Sequence, residues 1–195
     1  QLDSINEDTD VVTITAGGNN VGFQQFATAC TLGACGMSTS IYQDTLDNVI
    51  DDLPSEVESL YTSILEKNPT LGHYVIGYPY PTPEIAPANI TCWPFNEAAN
   101  NPDPTTGDSA AAYSLVSSIN NVLRYRVMFL QQYYGNRIRY VDPNNTTGSF
   151  TGHDWCAATP YFTEVAINSQ EYSYHPNTQG HQAYATEVKL YLQNN

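Results

Sequence analysis

Two short segments hold residue types that can do chemistry on a carbonyl group. Gly17-Gly18-Asn19 follows the β-branched run Asp10–Ala16. It sets a side-chain amide beside permissive backbone at the end of a predicted strand, and converging N–H donors are what a developing oxyanion requires. The same residues are also ordinary turn chemistry, so the segment by itself leaves both readings open. His175 lies between Tyr174 and Pro176, just before a segment of helical pattern. An imidazole there suits a general base, and it equally suits a capping or packing residue. His73, His153 and His181 read as structural: the first begins a strand, the second sits in a loop, and the third is on the last helix.

These segments have to be positioned by the elements around them. Asp10–Ala16 reads as a buried strand, followed by a Cys- and Gly-containing loop to about residue 37. From Ser38 to Lys67, Ile41, Leu46, Val49, Ile50, Leu53, Val57, Leu60 and Ile64 keep helical spacing, and Pro54 predicts two helices or a kink. His73–Tyr78 is a second strand, stopped by Pro79, Pro81 and Pro83, and residues 84–107 are loop-like. A helix is predicted from an Asp108 N-cap to about Tyr134, with Leu115, Ile119, Val122, Phe129 and Leu130 inward and Gly135 ending it. Arg137–Val141 is the third strand, and Thr178–Leu192 the last helix. Strand and helix alternate, which predicts an α/β fold with a parallel sheet. Functional groups in such folds gather at the carboxyl ends of the strands, where both segments lie. The chain carries no internal repeat and no linker, so residues 1–195 are expected to form a single domain.

Composition removes several classes of function. Six Lys and Arg face twenty Asp and Glu, a formal net charge of −14, which excludes a basic patch for nucleic acid and a polybasic membrane binder. No apolar run approaches the roughly 20 residues of a transmembrane helix. The 41% hydrophobic content and 15 Tyr indicate a folded chain. It begins at Gln1, without Met or a signal peptide, as expected of a processed precursor or a fragment.

The four cysteines are Cys30, Cys35, Cys92 and Cys156. None is spaced as Cys-x-x-Cys and the His residues do not interleave with them as zinc ligands would, which argues against a metal site. Four cysteines allow three connectivities. A local bridge can close Cys30 onto Cys35 across Thr-Leu-Gly-Ala, which leaves Cys92 with Cys156. Asn89, Asn144 and Asn145 each begin an Asn-x-Thr glycosylation sequon. Cysteine parity, sequons and acidity favour a secreted, extracellular chain.

Taken together, the motifs resemble a known family. Val-Thr-Ile-Thr-Ala-Gly-Gly-Asn-Asn-Val-Gly-Phe (residues 12–23) resembles the third sequence block of the SGNH (GDSL-like) hydrolases, in which the Asn donates to the oxyanion. Residues 174–185 resemble the block that carries the catalytic His, and Phe150-Thr-Gly-His153-Asp-Trp-Cys156 looks like a segment of the secreted lipase/esterase branch. The cysteine positions suit that branch too. The resemblance implies a flavodoxin-like three-layer α/β/α sandwich and serine ester hydrolysis without a cofactor or a metal. It further implies His175 as general base, Asn19 with Gly17 and Gly18 as the oxyanion loop, and an ester of a lipid or sugar as substrate.

The chain departs from that family in three places. Asn20 stands where the family has Asp. Tyr172, beside Glu171, stands where an acid usually orients the imidazole. The nucleophile block, Gly-Asp-Ser at the end of the family's first strand, is absent, so no nucleophilic Ser is expected in this chain; only 16 residues precede Gly17. Ser4 does not replace it: Ser4 precedes strand one and Asn19 follows it, and a strand of about seven residues separates its ends by roughly 20 Å. The expected architecture therefore lacks the first two family strands and leaves an apolar strand edge open. The missing N-terminal segment or a second copy would pair there. On this reading the chain carries the base and the oxyanion donor of a carboxylic ester hydrolase and is inactive alone. The competing expectation is a truncated, non-catalytic binding or structural relative. Tyr78-Pro-Tyr80-Pro and Cys92-Trp93-Pro94-Phe95 are candidate pocket walls.

Overall fold

Three short strands, β1 (Val11–Ile14), β2 (Gly72–Ile76) and β3 (Ile138–Val141), form a parallel sheet in the order β1-β2-β3. The computed structural model describes residues 2–84, 107–145, 150–163 and 174–193. Val12 pairs with His73 and Ile14 with Val75, and His73 and Val75 pair in turn with Ile138 and Tyr140. Among the described residues the helices are α1 (Phe23–Thr31), α2 (Ser40–Asp51), α3 (Leu53–Lys67), α4 (Asp108–Tyr134) and α5 (Thr178–Gln193).

Each parallel step needs a crossover, and α1–α3 and then α4 supply them. Val49, Leu53, Val57, Tyr61 and Leu65 of α2–α3 and Ile119, Leu123, Val127 and Leu130 of α4 meet Val75 and Ile138 of the sheet in one buried cluster. Pro54 sits in the first turn of α3, where its missing N–H costs nothing, so the chain breaks between α2 and α3 rather than kinking within one helix. A second cluster joins Phe26, Cys30 and Cys35 to Tyr42 and to Ala111, Ala112 and Leu115. Phe150 and Phe162 pack with Ala183 of α5 in a third.

Four expectations need correction. β1 is not a buried strand: none of its residues is buried, because among the described residues it pairs on one side only. The stretch after β1 is not all loop: Phe23, Phe26, Ala27 and Cys30 stripe one side of α1, and Phe26, Ala27 and Cys30 are buried. Ile50 and Phe129 are 59% and 37% exposed, because the buried stripes run through Val49 and Leu53 and through Val127 and Leu130 instead. Asp108 is the first residue of α4, not its cap; its carboxylate accepts the Cys35 N–H at 3.1 Å and so ties the helix start to the cysteine loop.

That loop is closed by a Cys30–Cys35 disulfide. Cys156 is also disulfide-bonded, while Cys92 lies outside the described residues. Asn68, 3% exposed, is a hub that the sequence did not reveal. Its amide nitrogen reaches the carbonyls of Asn6, Glu7 and Thr9, and its oxygen accepts from the N–H and hydroxyl of Thr70, so it fastens the segment entering β1 to the turn entering β2.

Candidate active site

β1 delivers Gly17-Gly18-Asn19 to the carboxyl end of the sheet. Gly17 adopts φ +114°, and a Cβ there would meet a Leu53 methyl at 2.6 Å, so only glycine fits between the strand end and α3. The chain then turns tightly into α1: Val21 N–H donates to Gly17 O at 3.2 Å and Phe23 N–H to Gly18 O at 3.1 Å. Gly18 N–H points the other way and donates to the Tyr78 hydroxyl at 2.9 Å. Asn19 and Asn20 are exposed at the tip.

His175 arrives from a stapled loop. Its carbonyl accepts from Thr163 N–H at 2.8 Å and from the Thr163 hydroxyl at 3.0 Å. Asn177 donates its amide to the carbonyls of Pro160 and Phe162 and caps α5 by accepting from Gly180 N–H at 3.0 Å. Gly180 has no room for a Cβ, which would overlap the Tyr161 carbonyl and press on Pro176. Tyr174, the residue before the histidine, takes a left-handed φ of 68°, and its hydroxyl donates to Ala27 O at 2.8 Å. A non-glycine residue in that region costs free energy that the surroundings must offset, and such strain collects at functional sites.

The two segments meet. Gly17, Gly18, Asn19 and His175 line one cleft of about 770 Å³, whose walls are largely apolar: Phe23, Ile76, Val116, Ile119, Phe162 and Tyr184. Tyr78, Pro79 and Pro81 also line it, so the first of the two proposed wall segments serves as one; residues 92–95 lie outside the described residues. His181 was read as structural, yet it is exposed and lines the same cleft from the first turn of α5. His153 does not line it: it stacks on Tyr161 with ring centroids 3.8 Å apart and holds Thr159 O at 2.8 Å. His73 is fully buried on β2. Glu171 and Tyr172 lie outside the described residues.

Among the described residues the cleft wall holds no Ser or Cys, and its aliphatic hydroxyls are those of Thr13 and Thr15. Ser4 stands in a short 3-10 turn ahead of β1, at the opposite end of the strand. The tripeptide Gly-Asp-Ser does occur in the chain, at Gly107-Asp108-Ser109, but it opens a helix rather than ending a strand. Ser109 is 1% exposed, its carbonyl accepts from Thr82 at 2.8 Å, and it does not line the cleft. Among the described residues β1 is paired only with β2, and Val11 on it is 43% exposed.

The sequon asparagines fall in two places. Asn89 lies outside the described residues. Asn144 donates to Tyr78 O at 2.7 Å and accepts from Tyr80 N–H at 2.8 Å, and Asn145 donates to Asp142 O at 3.1 Å. A glycan on Asn144 would compete with its hydrogen bond to the cleft-lining Tyr78.

No protein-family model matches the sequence. Lipase 1 of Streptomyces coelicolor is 27% identical over 180 residues, and a lipase of Streptomyces rimosus is 25% identical. Each match covers 92% of this chain and 59% of the relative, so the chain spans about three-fifths of the length of these curated relatives. Among solved structures, the extracellular lipase of Streptomyces rimosus superposes with a TM-score of 0.71 at 24% identity, covering 96% of this chain and 73% of that one. Phospholipase A1 of Streptomyces albidoflavus gives 0.73 at 24% identity, covering 97% and 72%. Over 92% of its length in sequence, and in its α/β fold, this chain is similar to lipases of Streptomyces.

Proposed function

We propose that this chain carries the oxyanion donor and the general base of a serine-type carboxylic ester hydrolase that acts outside the cell on an ester of a lipid or sugar. The observation that carries this reading is the convergence of Asn19 and His175 on one apolar cleft at the carboxyl end of a parallel sheet. Disulfide bonding of Cys30, Cys35 and Cys156 supports the oxidising setting.

In this mechanism His175 takes the proton of a serine hydroxyl as its oxygen attacks the ester carbon. The Asn19 amide donates to the oxygen that becomes negative. His175 then protonates the departing alcohol, and water releases the acyl group by the reverse of the same steps. The serine enters on a strand paired with the open edge of β1, next to the Asn19 loop. Because no Ser or Cys among the described residues lines the cleft, the second reading is that the cleft holds an acyl group without cleaving it.

Hexanoate, the carboxylate such a cleft would release, tests the shared site in the chain as it stands. Titrated into isotope-labelled protein, it should move the Asn19 side-chain amide and the His175 ring signals together, with one dissociation constant. Shifts at neither residue, or at two unrelated affinities, would remove the common site.

A further inference from the structure

The Asn19 loop is gripped from beneath by a single hydroxyl. Gly17 and Gly18 bring no side chains of their own, and paired glycines are the residues most prone to leave one conformation for another. Two backbone bonds secure the far side of the turn, at Gly17 O and Gly18 O. On the near side the Gly18 N–H is held by the Tyr78 hydroxyl, 2.9 Å away. That bond also changes what Gly18 does. Its N–H is spent on Tyr78, so it shapes the loop rather than donating into the cleft that Asn19 lines.

Tyr78 is itself immobilised from three directions. Asn120 of α4, 7% exposed, accepts the Tyr78 N–H at 2.7 Å and donates back to the Tyr78 carbonyl at 2.8 Å. Asn144, just past β3, donates to the same carbonyl at 2.7 Å. The Tyr78 ring packs against the main core cluster. A continuous strut therefore runs from α4 through the end of β2 to the tip of the loop after β1. Burial pushes the Tyr78 phenol above its ordinary pKa, with the Gly18 N–H opposing, so the hydroxyl stays intact.

We propose that Tyr78 is the positioning residue of the Asn19 loop: through Gly18 it fixes the direction in which the Asn19 amide meets a substrate carbonyl. This rests on the reading of Asn19 as an oxyanion donor. The ring of Tyr78 fills space that phenylalanine also fills, so only the hydroxyl distinguishes a strut from a packing residue.

The test compares wild type with Tyr78→Phe by residue-resolved amide exchange and by hexanoate titration. Loss of one hydrogen bond should let Gly18 exchange about tenfold faster, while Val75 of β2 and Leu123 of α4 keep their wild-type rates. The hexanoate affinity read at the Asn19 side chain should fall about fivefold or more, with the fold otherwise unchanged. Unaltered exchange at Gly18, or acceleration spread evenly to Val75 and Leu123, would overturn the proposal and leave Tyr78 a packing residue. Should hexanoate leave the wild-type Asn19 amide unmoved, the donor role falls, and the exchange comparison still decides whether Tyr78 holds the loop.

Discussion

Assayed by itself, the 195-residue chain should turn over a short-chain nitrophenyl ester orders of magnitude more slowly than the roughly 1–10³ s⁻¹ of ordinary enzymes. Covalent ester cleavage needs a nucleophile within hydrogen-bond reach of its base. His175 reaches the cleft, but among the described residues no Ser or Cys lines it, and Ser109 is buried away from it. An oxyanion donor without a nucleophile still leaves weak catalysis by water, about 10³-fold over the uncatalysed reaction in serine proteases stripped of their triad. Initial rates with and without a serine-directed phosphonate measure this. Turnover at ordinary enzyme rates that the phosphonate abolishes would show a serine where none is placed. Its loss in His175→Ala would then keep the base assignment while the inactivity fell.

Acid should weaken the fold through His73. The imidazole is fully buried, its edge contacts the Tyr61 ring at 5.1 Å between centroids, and neither ring nitrogen has a hydrogen-bond partner among the described residues. Burial without a partner disfavours the imidazolium and lowers its pKa from 6.5 to about 4. The sign follows from linkage: the unfolded chain takes up the proton first, so stability falls as pH drops through about 6.5 and the loss levels off below about 4. A gap of this size corresponds to about 3 kcal/mol at full extent. Asp108 works against it, since burial raises its carboxyl pKa despite hydrogen bonds from Cys35 and Gly36, and protonation there favours the fold. The comparison with His73→Phe isolates the histidine. Urea unfolding at pH 7 and pH 4 should show the wild type losing about 3 kcal/mol more than the variant over that interval. Equal losses would mean that the imidazole is solvated or paired.

The strands and both chemical segments were legible because their signals are local. Val11–Ile14 is β-branched and ends in glycines, and His175-Pro176-Asn177 precedes a helix that Asn177 caps. Helix α1 was not legible, because its N-cap is Gly22 in a left-handed conformation with no side-chain cap, flanked by glycines that read as loop. Asp108 read as a cap because only the tertiary fold brings Cys35 N–H to its carboxylate. The role of Tyr78 was equally hidden: its bond to Gly18 spans 60 residues of sequence. Side chains on β1, β2, α1, α4 and α5 build the cleft wall, and periodicity within any one of them says nothing about the others.

In the proposed mechanism Asn19 and His175 wait beside β1 for a nucleophile carried on a neighbouring strand. Supplying that strand tests it most directly. The Gly-Asp-Ser segment of a Streptomyces lipase is added in trans, or fused ahead of Gln1, and nitrophenyl ester hydrolysis is followed. Turnover should appear with the segment, be abolished by a serine-directed phosphonate, and be lost in both Asn19→Ala and His175→Ala. A segment shown to be bound along β1 without turnover, or turnover that survives the loss of His175, would contradict it.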